Sequence, residues 1–261
     1  MANVRGVSVA VLGAGKMGSA IGKALLECGA RVLATRARRE LLGELARLGF
    51  EPIESNRVAA ERADLVIIAV KPWHVESVAR EVRDVVVGKP VVSIAAGVRL
   101  EKLRSLMPGA IVYRAMPNMG VLVGLSATAL AGDRNTDAAR MVEDAFRCMG
   151  EVFWIDEKLF PAWTGLAGSG PGILASIADA LALAGVAAGI SRRDAERIVS
   201  LLFRAVGELL LTKGFQGLRD EVATPGGTTI EGLRVLEQGA RGAIIDSILA
   251  AVEKARRLEE S

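Results

Sequence analysis

The stretch VSVAVLGAGKMGSA, residues 7–20, identifies the fold of the N-terminal part of this chain. An apolar run leads into a turn in which Gly13, Gly15 and Gly18 have the spacing GxGxxG, and a helical pattern comes directly after it. In this context Gly13 permits the tight turn, Gly15 lets a pyrophosphate approach the backbone, and Gly18 lets helix and strand pack closely. A glycine turn that holds no ligand is the alternative. The pattern favours a dinucleotide, with predicted contacts at Gly13, Ala14, Gly15, Lys16, Met17 and Gly18.

The rest of this part alternates short apolar runs with helical patterns. Continuous apolar strands separated by helices indicate a parallel sheet that is covered on both faces. The predicted strands are residues 6–13, 31–35, 63–70, 90–96, 110–116, 125–132 and 151–156. The predicted helices between them are residues 19–28, 40–48, 75–87 and 136–149.

After residue 156 the chain shows only helical patterns. In the longest of them Ser191 and Asp194 form a predicted capping pair, and Gly214 is the predicted end of the helix. We therefore predict an α/β protein with two domains. A doubly wound (Rossmann) dinucleotide-binding domain covers residues 1–156, and an all-helical domain for substrate binding and dimerisation covers residues 157–261.

Composition argues against several function classes. The net charge is only +3 and aromatic residues make up 4%, so the basic surface of a nucleic-acid-binding protein is not expected. With His74 as the one histidine, neither a histidine-rich metal site nor a Ser/His triad is expected. Cys28 and Cys148 stand apart and are predicted to be separate buried thiols in a reducing cytosol.

Two apolar stretches bear on export and membrane insertion. The N-terminal apolar run is short and leads into a glycine turn, which predicts a cytoplasmic protein without a signal peptide. The segment ILASIADALALAGVAAGI, residues 173–190, is apolar but is built of small residues and contains Asp179. We predict a buried or interface helix there, and no membrane span.

The end of the second predicted strand narrows the choice of cofactor. Enzymes that use NAD usually present an acid to the ribose hydroxyls at this place. Here Thr35 and Arg36 are followed by Arg38 and Arg39, and the first acid is Glu40. These cations would stabilise a 2′-phosphate, so NADP(H) is the preferred cofactor and NAD(H) is the second choice. The alternative for Arg38 and Arg39 is that they begin a solvated helix.

An ordered series of motifs resembles one family, the pyrroline-5-carboxylate reductases of proline biosynthesis. The series is GAGKMGSAI, Asn56, AVKP (69–72), SIAAG (93–97), RAMPN (114–118), GLAGSGPG (165–172) and LRDEVATPGGTTIEGL (218–233). The resemblance implies reduction of L-1-pyrroline-5-carboxylate to L-proline by hydride transfer from NAD(P)H. It also implies further cofactor contacts at Asn56, Ala69, Val70, Lys71, Pro72, Ala95 and Asn118.

The chain departs from the family pattern at two places. Met119 and Gly120 stand where the family commonly has Thr-Pro, and Gly172 and Ile173 stand where it commonly has Ala-Tyr. These differences concern local packing and kinetics, and the reaction class is unaffected.

The loop TPGGTT, residues 224–229, precedes an amphipathic helical pattern and is a candidate anion site. Its glycines leave backbone N–H groups uncovered at the positive end of a helix dipole. By the resemblance this loop binds the substrate carboxylate, and Thr229 is the catalytic residue that contacts the ring nitrogen. The alternative is that Thr228 or Thr229 only caps the helix. The predicted substrate-binding residues are Thr224, Gly226, Gly227, Thr228 and Thr229.

The glycine spacing at 165–172 is also similar to that of the β-hydroxyacid dehydrogenases, which carry a catalytic Lys and an Asn further along. Leu174 and Ala178 occupy those positions here. A ketone reductase needs a proton donor for the oxygen, whereas a protonated imine is already electrophilic, so the substrate is predicted to be an imine. Two other functions remain: reduction of a different cyclic imino acid, and a non-catalytic NADP(H)-binding sensor.

Self-association is predicted from the apolar helices and from the resemblance. Family members pair through the helical domain, and a second subunit completes the site. We therefore expect a homodimer within a larger ring such as a pentamer of dimers, with a small-molecule substrate and without nucleic acid or membrane as partners.

Overall fold

The sheet of the N-terminal part is the centre of the fold. The computed structural model describes residues 4–260, without the side chains of Arg39 and Glu260. The strands are β1 (Ser8–Leu12), β2 (Arg31–Thr35), β3 (Glu51–Pro52), β4 (Leu65–Ile68), β5 (Pro90–Ser93), β6 (Ile111–Met116), β7 (Ser126–Ala131) and β8 (Gly150–Trp154). They form an eight-stranded sheet in the order β3-β2-β1-β4-β5-β6-β7-β8. All neighbours are parallel except β6 and β7, which are antiparallel.

Helices cover both faces of this sheet, which confirms the doubly wound prediction. They are α1 (Lys16–Glu27), α2 (Leu42–Arg47), α3 (Asn56–Glu61), α4 (Pro72–Val82), α5 (Leu100–Leu106), α6 (Asp137–Arg147) and α7 (Phe160–Trp163). The strand β1 shows why its sequence is apolar at every position. Val9 and Val11 belong to one core cluster, and Ala10 and Leu12 belong to the cluster on the opposite face.

The remaining helices are α8 (Gly170–Ala187), α9 (Arg192–Val222), α10 (Thr228–Glu237) and α11 (Ala240–Glu260). The predicted capping pair is confirmed, because Ser191 Oγ accepts a hydrogen bond of 3.1 Å from the backbone N–H of Asp194. The prediction that Gly214 ends its helix is confirmed. Gly214 has the non-helical angles φ 69° and ψ 172°, and a second helical stretch follows it as far as Val222, so α9 consists of two helices joined at this glycine.

The chain divides into two compact units. One contains the residues up to Gly168 together with the chain from Ala251 onward, and the other is Ser169–Ala250. The boundary predicted after residue 156 marks the end of the strands and differs from this division. The reason is that α7 packs on the sheet: Phe160 has no exposed surface and lies in the cluster with Leu12.

Cys28 and Cys148 are joined by a disulfide, so the prediction of two separate thiols is wrong. They are the residues that directly follow α1 and α6, and their Cα atoms are 6.0 Å apart. Both helices pack on the same core cluster, through residues such as Leu25 and Phe146. Since the cysteines are separated by 120 residues, their spacing along the chain gives no sign of this meeting.

The helix α8 carries its apolar side chains on an uncovered surface. Ala182 is its one buried residue, whereas Leu174, Leu181 and Leu183 are each about half exposed. The prediction of a buried helix is therefore wrong for the single chain, and an interface role remains. Among the described residues, the segment from Glu157 to Ala187 is long and apolar enough to cross a membrane by length and composition.

Candidate active site

The predicted cofactor residues of the first unit follow the carboxyl ends of neighbouring strands. The sheet order reverses at β1, which lies between β2 and β4. In an open α/β sheet this switch point is where ligands bind, outside the carboxyl ends of the strands. The residues at this edge are Gly13–Gly18 after β1, Thr35 and Arg36 at the end of β2, Ala69–Pro72 after β4, Ala95 after β5 and Asn118 after β6.

The glycines of the turn at residues 13–18 have different structural roles. Gly13 has φ 93°, and a Cβ there would overlap the side chain of Val70. A Cβ on Gly18 would lie 2.7 Å from the carbonyl oxygen of Gly13, so Gly18 is required for packing. A Cβ on Gly15 would meet nothing within 4 Å. The surface at Gly15 is therefore open, as the close approach of a pyrophosphate requires.

The first turn of α1 suits an anion. Gly15 is the residue at the helix start and has no side chain with which to cap it, and no acidic residue stands in the first turn. The first backbone N–H groups of the helix and its positive dipole end therefore face outward without a negative partner from that turn. A hydrogen bond of 2.7 Å from Ala14 N to the carbonyl of Thr35 fixes the turn against β2. These features fit the phosphates of a dinucleotide.

A chain of hydrogen bonds supports this turn from β2 and α3. Thr35 is buried, and its Oγ1 accepts from Gly13 N at 3.2 Å and donates to Asn56 Oδ1 at 2.6 Å. The Asn56 side chain in turn donates from Nδ2 to Glu81 Oε2 at 2.7 Å. Sequence reasoning missed Glu81, which belongs to no motif and lies on α4. Thr35 therefore holds the turn and Asn56 in place, and its hydroxyl proton is already engaged.

Arg36 has a partner that the sequence did not suggest. Its guanidinium Nη1 lies 2.8 Å from Glu44 Oε2 on α2, and its side chain is 25% exposed. Arg38 is exposed, whereas the side chain of Arg39 lies outside the described part of the chain. A 2′-phosphate at this place would meet Arg36 with its charge already partly balanced by Glu44.

The motif after β4 lies next to the glycine turn. Val70 contacts Gly13, and Lys71 is exposed at the residue before α4, which begins with Pro72. Ala95 is buried and its N–H lies 3.3 Å from Ser93 Oγ.

Asn118 begins a helical turn after β6. Its Oδ1 accepts from Gly120 N at 2.9 Å, and its own backbone N–H donates to Ser126 Oγ at 3.2 Å. A Cβ on Gly120 would overlap the carbonyl of Leu125. The departure at Gly120 therefore has a local reason, because the position supplies an N–H that proline lacks and has no room for a side chain.

The candidate anion loop lies in the second unit. Gly226 has φ 68°, and Gly227 N donates to the carbonyl of Thr224 at 3.0 Å. The helix α10 starts from Gly227, which has no side-chain cap, so the alternative that Thr228 or Thr229 caps the helix is wrong. Thr228 is exposed and Thr229 is half-buried. The loop thus presents an uncapped helix N-terminus with two hydroxyls in its first turn.

The helix α8 offers no free acid or base. Asp179 is its one ionisable residue, and that carboxylate is paired with Arg192. Leu174 is half exposed, and Ala178 packs against the small cluster of Ala182. These contacts agree with the prediction that this region lacks the proton donor of a ketone reductase.

Two family profiles match different parts of the chain. The profile described as pyrroline-5-carboxylate reductase dimerisation matches residues 157–258. The profile described as NADP oxidoreductase coenzyme F420-dependent matches residues 8–97. The first covers the helices with exposed apolar surfaces, which is the region expected to associate with a second copy.

Relatives match the chain over nearly its whole length. The pyrroline-5-carboxylate reductase of Thermus thermophilus is 38% identical and covers 97% of this chain and 99% of its own. The crystal structure of 1-pyrroline-5-carboxylate reductase from Streptococcus pyogenes has a TM-score of 0.86 at 31% identity, covering 97% of this chain and 99% of that one. The NADP-bound Plasmodium falciparum pyrroline carboxylate reductase, at 24% identity, shares the fold with a TM-score of 0.88 over 98% of this chain and 100% of that one. This chain belongs to the pyrroline-5-carboxylate reductase family.

Proposed function

We propose that this chain is an NADP(H)-dependent oxidoreductase that reduces L-1-pyrroline-5-carboxylate to L-proline, the final step of proline biosynthesis. The observation that carries the proposal is the pair of uncapped helix N-termini behind glycine turns, at α1 and α10. One suits a pyrophosphate and the other a carboxylate. The match to pyrroline-5-carboxylate reductases over the whole chain supports the same reaction.

When bound, NADPH supplies the hydride of this reaction. We propose that the backbone at Gly15 and the first turn of α1 hold its pyrophosphate and that Arg36 faces the 2′-phosphate. Lys71 and Asn118, which follow β4 and β6, would then border the nicotinamide end. The role of Thr35 is to hold the glycine turn through its bond with Gly13 N.

On the substrate side, the N–H groups of the first turn of α10, which begins after Gly227, would bind the carboxylate. The hydroxyl of Thr229 would contact the ring nitrogen, either to orient the ring or to relay its proton. A protonated C=N bond needs no further acid, because hydride addition cancels its positive charge. Most of the rate would therefore come from positioning.

The reaction is tested by following NADPH oxidation with pyrroline-5-carboxylate, and then with NADH in its place. We expect turnover with both the imino acid and NADPH present, and a lower kcat/KM with NADH. Absence of turnover, although NADPH binds, would support the sensor function instead. Faster turnover of a six-membered cyclic imino acid than of the five-membered one would favour the alternative function, reduction of a different cyclic imino acid.

The role of Thr229 is tested by a matched pair of substitutions. Thr229→Val removes the hydroxyl at nearly constant volume, and Thr229→Ser keeps it. We expect the valine variant to lose about tenfold to a hundredfold in kcat/KM, as for loss of one transition-state hydrogen bond, and the serine variant to stay close to the parent. Equal kinetics for the valine variant and the parent would remove Thr229 from the mechanism.

We also propose a homodimer within a larger ring, such as a pentamer of dimers, in the cytoplasm. The dimerisation match over residues 157–258 and the exposed leucines of α8 support a second copy as the cover of this surface. The apolar N-terminal run forms the buried strand β1 of the sheet, as the proposal of a cytoplasmic protein requires. A monomer at micromolar concentration in light scattering would overturn the dimer, and sedimentation would give the ring size.

A further inference from the structure

A buried ionic cluster ties the end of the chain to the sheet. Arg114 lies on β6 with a side chain that is 2% exposed. Its Nη1 is 2.8 Å from Glu157 Oε1 and its Nη2 is 2.8 Å from Glu259 Oε1. The guanidinium carbon also lies 4.3 Å from the ring centre of Phe160. This cation is thus enclosed by partners from the chain itself.

Glu259 comes from the end of α11 and is 8% exposed at its side chain. Its second oxygen lies 3.6 Å from Arg99 Nε, so the cluster contains two arginines and two carboxylates. Glu157 also accepts from the backbone N–H of Leu100 at 2.7 Å. Arg114 and Glu259 are deeply buried, and such charges are costly unless each has its partner, so loss of either one would force the other to rearrange.

A second contact joins the same end of α11 to a different loop. Gly97 has φ 78°, and a Cβ there would lie 2.6 Å from the carbonyl oxygen of Leu258. The loop after β5 therefore fits against the last turns of α11 only because residue 97 has no side chain. Leu258 and Glu259 thus contact the loop after β5 and the strand β6.

Both contacts involve segments that contain or lead to candidate cofactor residues. Gly97 follows Ala95 by two positions, and Arg114 is followed along the chain by Met116, Pro117 and Asn118. The end of α11 thus contacts the loop after β5 and pairs with an arginine of strand β6. The motif around Asn118 gives no sign that the preceding strand β6 forms an ion pair with a carboxylate from the other end of the chain.

We propose that Glu259 is a positioning residue for cofactor binding, acting through Arg114 and the loop at Gly97 on the nicotinamide side of the site. The inference rests on the proposed function insofar as these loops hold NADP(H). Glu259 itself touches neither cofactor nor substrate. Its loss would release the loops from their binding geometry and leave the chemistry of a bound complex largely intact.

The test compares Glu259→Gln and Glu259→Asp with the control Glu253→Gln in the full-length protein. Glu253 lies on the same helix, is 51% exposed and pairs with Arg256 and Arg257 at the surface. NADPH binding is measured by fluorescence titration without substrate, and KM and kcat by NADPH oxidation. Thermal unfolding of each variant reports on the overall fold.

We expect Glu259→Gln to raise the dissociation constant and the KM for NADPH by roughly threefold to thirtyfold, with kcat at saturation within about twofold. Glu259→Asp should recover part of this loss because it keeps the charge, and Glu253→Gln should bind as the parent does. NADPH binding by Glu259→Gln equal to that of the control would overturn the proposal. So would equal losses in kcat and binding that track only the loss of thermal stability.

These outcomes are separate from the test of the reaction. If the parent binds NADPH but does not reduce pyrroline-5-carboxylate, the proposed function fails while the fluorescence titration still decides the role of Glu259. If the parent turns over and Glu259→Gln binds normally, the positioning role fails and the function stands.

Discussion

The disulfide between Cys28 and Cys148 gives the sharpest prediction about stability. It connects the ends of α1 and α6, and α1 is the helix that begins at the glycine turn of residues 13–18. Replacing either cysteine by serine breaks the bond, and so does a reductant that reaches it. We expect each change to destabilise the nucleotide-binding unit while leaving the glycine turn itself unaltered.

The magnitude depends on the length of chain that the bond closes. In the chain-entropy description, a loop of 120 residues loses about 5 kcal/mol of unfolded-state freedom at 25 °C. For a unit of this size that corresponds to a fall in Tm of roughly 10–20 °C. Because there is one bond to lose, Cys28→Ser, Cys148→Ser and the double variant should all lose nearly the same free energy of unfolding.

The assay is denaturant unfolding and thermal unfolding of the parent and the three variants, each with and without a thiol reductant. The parent should shift toward the variants on reduction, and the variants should not respond. A thiol titration under denaturing conditions counts free cysteines before and after reduction. Two free thiols in the untreated parent, or additive losses in the two single variants, would show that no such bond stabilises the unit.

Three further predictions concern single side chains. The Cβ added by Gly15→Ala would meet no atom within 4 Å, so the Tm of this variant should match the parent, while NADPH binding in a fluorescence titration should weaken about tenfold. Gly18→Ala should instead cost about 1–3 kcal/mol of unfolding free energy in denaturant. The reverse pattern would contradict the assignment of Gly15 to phosphate binding and of Gly18 to packing. Lys89 donates to three carbonyl oxygens at the end of α3, at 3.0, 2.7 and 2.9 Å, so Lys89→Met should cost about 1–3 kcal/mol in urea unfolding, and an unchanged midpoint would show that the contacts contribute nothing. The indole N–H of Trp154, helped by a neighbouring arginine, holds the pKa of Glu143 below its ordinary value of 4.5. A lowered folded pKa means that this stability is present above pH 4.5 and is lost as the pH falls through the folded value, so Glu143→Gln should cost about 1–2 kcal/mol at neutral pH and less at an acidic pH below the folded pKa. An equal cost at both pH values would contradict the ionic origin.

Most of the strands and helices could be predicted because their signal is local. The apolar run of β1, with Val9 and Ala10 buried on opposite faces, has a composition that only a doubly covered strand allows. The strand β3, Glu51–Pro52, was missed because two residues carry no period. The break at Gly214 could be predicted because glycine readily adopts a positive φ, whereas the helical stretch that follows it as far as Val222 was missed.

The amino-acid pattern is enough to specify the two glycine turns, at Gly13 and at Gly226. A positive φ and an uncapped helix start both depend on residues that are adjacent in the sequence. The long-range partners are set by the tertiary structure: Cys148 for Cys28, Glu81 for Asn56, and Glu259 for Arg114 across 145 positions. Local conformation depends on the preferences of neighbouring residues. Long-range contacts depend on where the whole chain path brings each side chain, and no short pattern contains that path.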